Sequence, residues 1–126
     1  MTTFYGNEVL RKMPLSGGAG NGRRILVAAT ASPGTLIHIG PEDPELGDEL
    51  WIDAHNTGDV PVDLTIEYGG TDAPDDTVTV TIQPKAAPAL VIPGGVLAGA
   101  AEPLVVRAFA SVGSTVTIGG CAHRYE

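Results

Sequence analysis

An all-β sandwich of two sheets is the fold this sequence predicts, on three observations. Glycine and proline, 17 and 10 of them, interrupt the chain at short intervals, which suits strands and turns better than helices. Lys, Glu and Gln, which favour helices, are scarce in the apolar stretches. Apolar and polar residues alternate at period two through the middle of the chain, most clearly in VDLTIEY and TVTVTI. At 126 residues there is material for one core and not for two.

Taken in order, residues 1–24 (MTTFYGNEVLRKMPLSGGAGNGRR) predict an extended arm. Gly17, Gly18, Gly20 and Gly22 make its second half costly to order. Its first half carries apolar side chains, among them Phe4, Tyr5, Val9, Leu10, Met13 and Leu15, that need somewhere to be buried. The body is expected over 25–126, with strands near 25–31, 35–39, 49–55, 61–68, 77–83, 86–92, 104–110 and 114–122, about eight in all.

Val62, Leu64, Ile66 and Tyr68 fall on one face of their strand and Asp63, Thr65 and Glu67 on the other. Val78, Val80 and Ile82 repeat the scheme, so the two strands predict a hairpin with one apolar and one wet face. GGTDAPDD supplies its turn through glycine, proline and aspartates that hydrogen-bond nearby backbone. NTGDVP has similar turn chemistry, and IPGGVLAGAAEP, rich in small residues, predicts a surface loop or a crossover between sheets. Short strands at this spacing suit a sandwich of jelly-roll type.

The formal net charge is −8, which makes nucleic acid a poor partner for the body. The charge is asymmetric: Arg11, Lys12, Arg23 and Arg24 against Glu8 give residues 1–24 a balance of +3, leaving −11 on the rest. Cys121 is the single cysteine and cannot form an intramolecular disulfide. The N-terminus shows no secretory apolar region, and ILVAATA is too short to cross a bilayer, so neither a membrane nor secretion is expected and synthesis in a cytoplasm is.

No catalytic, cofactor or metal site is expected. GGAGNGRR has the glycines of a phosphate loop but no preceding strand and no Lys-Ser/Thr ending. Asp53 and His55 share a strand face, yet two ligands do not make a metal site, and His38 and His123 have no fixed relation to them. Cys121 and His123 share a face too, but Cys121 reads as a small hydrophobe of the last core strand. The acidic stretches PEDPELGDE and TDAPDD lack the layout of a dedicated calcium loop. Trp51, Tyr68 and Phe109 are the only aromatics between the arm and Tyr125, few for a sugar-binding surface.

TLIH, the hairpin AHNTGDVPVDLTIEYGG, LVIPG and LVVRAFAS followed by a final strand together resemble the head decoration, or cement, proteins of tailed bacteriophages, over about residues 35–120. These are core-strand and turn patterns and not catalytic signatures. The resemblance implies a non-enzymatic subunit on the outer capsid surface of a virion, made in the host bacterial cytoplasm. It also implies a homo-oligomer, a trimer favoured over a dimer, that binds the major capsid protein. The arm is then the candidate contact, with Arg11, Lys12, Arg23 and Arg24 meeting carboxylates and Phe4, Tyr5, Val9 and Leu10 filling grooves. A receptor- or glycan-binding module of a phage tail or fibre, working through the loops around 41–48 and 69–76, is the alternative.

Overall fold

The computed structural model describes residues 10–125, and these form nine strands and no helix. In chain order the strands are β1 (Leu10–Pro14), β2 (Ile25–Leu26), β3 (Thr35–Ile39), β4 (Gly47–Asn56), β5 (Val62–Tyr68), β6 (Thr77–Ile82), β7 (Ala89–Ala98), β8 (Val105–Ala110) and β9 (Val116–Tyr125). One sheet runs β1-β9-β4-β7, with β2 also on β9; the other runs β3-β8-β5-β6, and every pairing is antiparallel. The two sheets form a sandwich around one core.

Period-two alternation builds that core. Leu50, Ile52 and Ala54 of β4 and Val116, Ile118 and Ala122 of β9 meet Val62, Leu64 and Ile66 of β5 and Val106, Ala108 and Ala110 of β8, all buried. Burying each of the larger side chains stabilises the fold by about 1.5–3 kcal/mol. The expected β5–β6 hairpin is present, in register from Val62↔Ile82 to Glu67↔Thr77. Its wet face carries hydrogen bonds from Thr81 to Asp63 (2.8 Å) and between Thr65 and Thr79 (3.1 Å). In the turn, Asp76 accepts the Asp72 N–H (3.0 Å), the aspartate-to-backbone bond expected of GGTDAPDD.

Four local expectations differ from what is observed. The strand expected at 25–31 pairs as a strand only at Ile25–Leu26. Beyond it the backbone bonds first to Ser114 and Val116 at the edge of one sheet and then to Ala110 of the other, so the segment changes sheets. The strand expected at 86–92 instead runs Ala89–Ala98, through residues expected to form a loop. It is an edge strand, where Pro93 is tolerated, and its register slips twice against β4. Gly94, at φ 86°, lies under the Trp51 ring, where a Cβ would sit 3.1 Å from a ring carbon.

Glu67, expected on the wet face, is buried because the turn at 32–34 covers it: the Ser32 hydroxyl and the Gly34 N–H (2.7 Å) both donate to its carboxylate. Cys121, expected in the core, lies on the outer face of its sheet and is half-buried, because Val116, Ile118 and Ala122 take the inward positions of β9.

The segment expected as an arm joins the body at residue 10. β1 pairs with β9 through five consecutive positions, from Leu10↔Tyr125 to Pro14↔Cys121. Leu15 is then buried in the core, and the Gly17 N–H donates to the Ile37 carbonyl (2.8 Å). Residues 15–17 therefore bridge from the edge of one sheet to β3, the edge of the other. This strand was not evident in LRKMP, which is short, charged and followed by glycines.

Candidate partner-binding surface

The bridge is held by a buried polar chain. Parity along β4 puts Asp48 in phase with Leu50, Ile52 and Ala54, so its carboxylate points inward and is fully buried. Arg124 of β9, in register with Asp48, donates Nε to Oδ1 (2.7 Å) and Nη2 to Oδ2 (2.9 Å). His38, also fully buried, reaches the same carboxylate through Nε2 (2.7 Å to Oδ2).

The other ring nitrogen settles the tautomer. The Ser16 backbone N–H donates to His38 Nδ1 (3.1 Å), so Nδ1 is an acceptor and the proton of the neutral ring sits on Nε2, facing Asp48. The Ser16 hydroxyl lies 3.2 Å from Nδ1 and accepts the Ile39 N–H (2.7 Å). The base of the N-terminal segment is thus latched through Ser16, His38 and Asp48 to Arg124. Burial pushes the Asp48 carboxyl up, but the hydrogen bonds from Arg124 and His38 outweigh it and hold it below the ordinary carboxylate range. Burial, with help from the Asp48 charge, pushes Tyr68 up to about 12.

Of the residues expected to contact a partner, Phe4, Tyr5 and Val9 lie outside the described residues. Leu10 opens β1, opposite Tyr125. Arg11 and Lys12 follow it on the edge strand, and both are exposed. Arg23 is exposed on the loop before β2. Arg24 is committed to its own chain: Nε and Nη2 donate to the Thr117 hydroxyl and carbonyl (2.9 Å each), and Nη1 lies 2.8 Å from Asp53. The structure therefore gathers Leu10, Arg11 and Lys12 on one edge and separates Arg24 from them.

Asp53 and His55, considered as a metal pair, are engaged separately, Asp53 by Arg24 and His55 by donation to the Ala86 carbonyl (2.9 Å). No group of three or more His, Cys, Asp or Glu side chains among the described residues is placed to hold a metal. No helix among them is long and apolar enough to cross a membrane.

The outer face of the β1-β9-β4-β7 sheet carries a second cluster. Glu49 Oε1 accepts the Trp51 indole N–H (2.9 Å) and lies 3.2 Å from His123 Nδ1, and the Tyr125 hydroxyl donates to Oε2 (3.4 Å). The bonds from Trp51 and His123 hold the Glu49 carboxyl below its ordinary range. Around it stand exposed apolar side chains, Trp51, Leu90 and Val96, the last 63 % exposed. Between the edges of β6 and β7 lies a cleft of about 470 Å³ lined by Tyr68, Asp75, Asp76, Val78, Val91 and Pro93. The Tyr68 hydroxyl is buried there without a hydrogen-bond partner among the described residues.

Reading sites from motifs passed over Ser16 and Arg124, took Asp48 only as part of the acidic turn 41–49, where the structure instead buries it on β4, and took His38 only as a potential metal ligand. The usable signal was parity. Asp48 and Arg124 fall in phase with core residues of their strands, and two opposite charges at inward positions predict a buried pair.

Comparison of the chain with family models, with curated proteins and with solved structures returns no match.

Proposed function

We propose that the chain is a non-enzymatic decoration subunit of the tailed-phage head type, which binds the major capsid protein from the outer surface of the virion through its N-terminal segment. The observation that carries this reading is the anchored base of that segment: five paired positions on β9, Leu15 in the core and the Ser16–His38 latch hold the start of β1 at a sheet edge. A fixed base lowers the entropic cost of docking, because the position of β1 is set before a partner arrives. Exposed Arg11 and Lys12 beside that point suit a partner rich in carboxylates.

The strand order supports reading the sandwich as a jelly roll, since successive strands from β3 onward change sheets at every connection except the β5–β6 hairpin. A homotrimer, or else a homodimer, would multiply weak arm contacts into firm attachment through effective concentration. No nucleic acid, membrane or cofactor belongs to this reading.

Heads assembled from the major capsid protein of the genome that encodes this chain provide the test. Full-length protein should sediment with them, and protein lacking residues 1–9 should stay in the supernatant with an unchanged circular-dichroism spectrum. Full-length protein left in the supernatant removes the decoration role. Truncated protein that still sediments removes the arm from it.

The β6–β7 cleft favours a second reading, a glycan-binding module of a tail or fibre, because the unpartnered Tyr68 hydroxyl and the Asp75 and Asp76 carboxylates suit sugar hydroxyls. Binding on a glycan array that survives removal of residues 1–9 and is lost in Tyr68→Phe supports it. A blank array removes it.

A further inference from the structure

Cys121 is the single cysteine of the sequence, and β9 turns it outward, away from the core. Two residues along the same face is His123, whose Nε2 lies 3.9 Å from Cys121 Sγ. Directly across from His123 on β4 is Glu49, with Oε1 3.2 Å from His123 Nδ1. An ionised carboxylate can only accept, so Nδ1 carries the proton towards Glu49 and the Nε2 lone pair of the neutral ring faces the sulfur.

Nucleophile, base and orienting acid thus follow one another, which is the arrangement that activates a thiol. Both His123 and Glu49 are part-exposed, at 23 % and 24 % of their side chains, so the group is open to solvent and small molecules. Glu49 is itself fixed by the Trp51 indole and the Tyr125 hydroxyl, which stops the carboxylate from turning away. From β1, Lys12 stands opposite His123 and Pro14 opposite Cys121 in the strand register.

We propose that Cys121, His123 and Glu49 form a surface thiol-exchange site that takes a low-molecular-weight disulfide as its substrate. Cys121 Sγ attacks one sulfur of the disulfide as His123 Nε2 accepts the thiol proton. The new Sγ–S bond forms, the old S–S bond breaks, and its electron pair leaves on the second sulfur. That thiolate takes the proton back from His123 and departs as a free thiol. The products are a mixed disulfide on Cys121 and one small thiol, so no other oxidant is consumed. Glu49 is a positioning residue, acting through the His123 ring. The site goes beyond the docking role and does not depend on it.

The test is the full chain incubated with oxidised glutathione near pH 7 and followed by intact mass. One glutathione adduct should form on the native protein at least as fast as on the same chain unfolded in urea, and Cys121→Ser should form none. Adduct formation should slow about tenfold in His123→Ala, where the base is gone. In Glu49→Gln the rate-against-pH profile should shift, with the native fold retained by circular dichroism. Trp51, opposite Cys121 in the register, should report the adduct as a fluorescence change. A native chain that reacts more slowly than the unfolded chain overturns the proposal. So does a His123→Ala variant that reacts at the native rate. The comparison with the unfolded chain needs no variant, so a misfolded substitution leaves the test intact.

Discussion

Gly120 shows how one missing side chain decides a contact between strands. It stands opposite Ile52 in the register at φ 139°, and a Cβ there would lie 1.9 Å from the Trp51 carbonyl oxygen, a backbone atom that cannot swing aside. Gly120→Ala combines a poor backbone conformation with a clash, and it should cost about 2–4 kcal/mol in chemical denaturation. A loss under about 0.5 kcal/mol, the range of an unremarkable surface change, would mean that β4 and β9 can part at this point without penalty. The glycine could be read in the sequence, but its reason could not, because the reason is the approach of a strand more than sixty residues away in the chain.

At the scale of elements, the latch between β1 and β3 makes the base of the N-terminal segment a part of the fold. His38→Ala removes the acceptor of the Ser16 N–H and one donor to Asp48, and leaves a cavity beside the core. Lost bonds and packing of this kind cost about 2–4 kcal/mol. Hydrogen exchange should accelerate more in residues 11–17 than in β5 and β8. Equal acceleration everywhere would show that the latch is not a local device.

The same elements show where the sequence was legible. The hairpin of β5 and β6 could be read because its pairing is local and each strand alternates cleanly. β3 could be read to its ends, 35–39, because it is a short apolar run bounded by Gly34 and Gly40, although a register shift between Leu36 and His38 breaks its alternation. β1 could not, because its strand character comes from β9, more than a hundred residues later, and not from LRKMP itself. The candidate partner-binding residues were legible as charges, but whether a guanidinium meets a neighbour or its own sheet depends on register, and register places Arg24 on Thr117 and Asp53.

For the whole molecule, two buried or half-buried groups set opposite limits on pH. Asp48 binds its proton less readily folded than unfolded, so its contribution is complete above about pH 4 and is lost as pH falls through the lower folded value. Tyr68 moves the other way. Its folded pKa of about 12 exceeds the ordinary tyrosine value of about 10. The unfolded chain therefore ionises first, and stability declines as pH rises across that interval. Denaturant midpoints measured from acid to alkali should fall at both ends, with Tyr68→Phe flattening the alkaline limb and leaving the acid limb in place. An alkaline limb unchanged by that substitution would place the titration on another group.

The position of β9 has a consequence for how the chain comes into being. It lies between β4 on one side and β1 with β2 on the other, so three earlier strands of its sheet wait for it. A ribosome adds roughly 5–20 residues per second, and until residues 116–125 leave the exit tunnel, β1 and β2 have no neighbour and β4 has only β7. Closure of this sheet therefore waits for β9, and a nascent chain stalled before residue 116 would present half-finished edges to whatever chaperone is nearest.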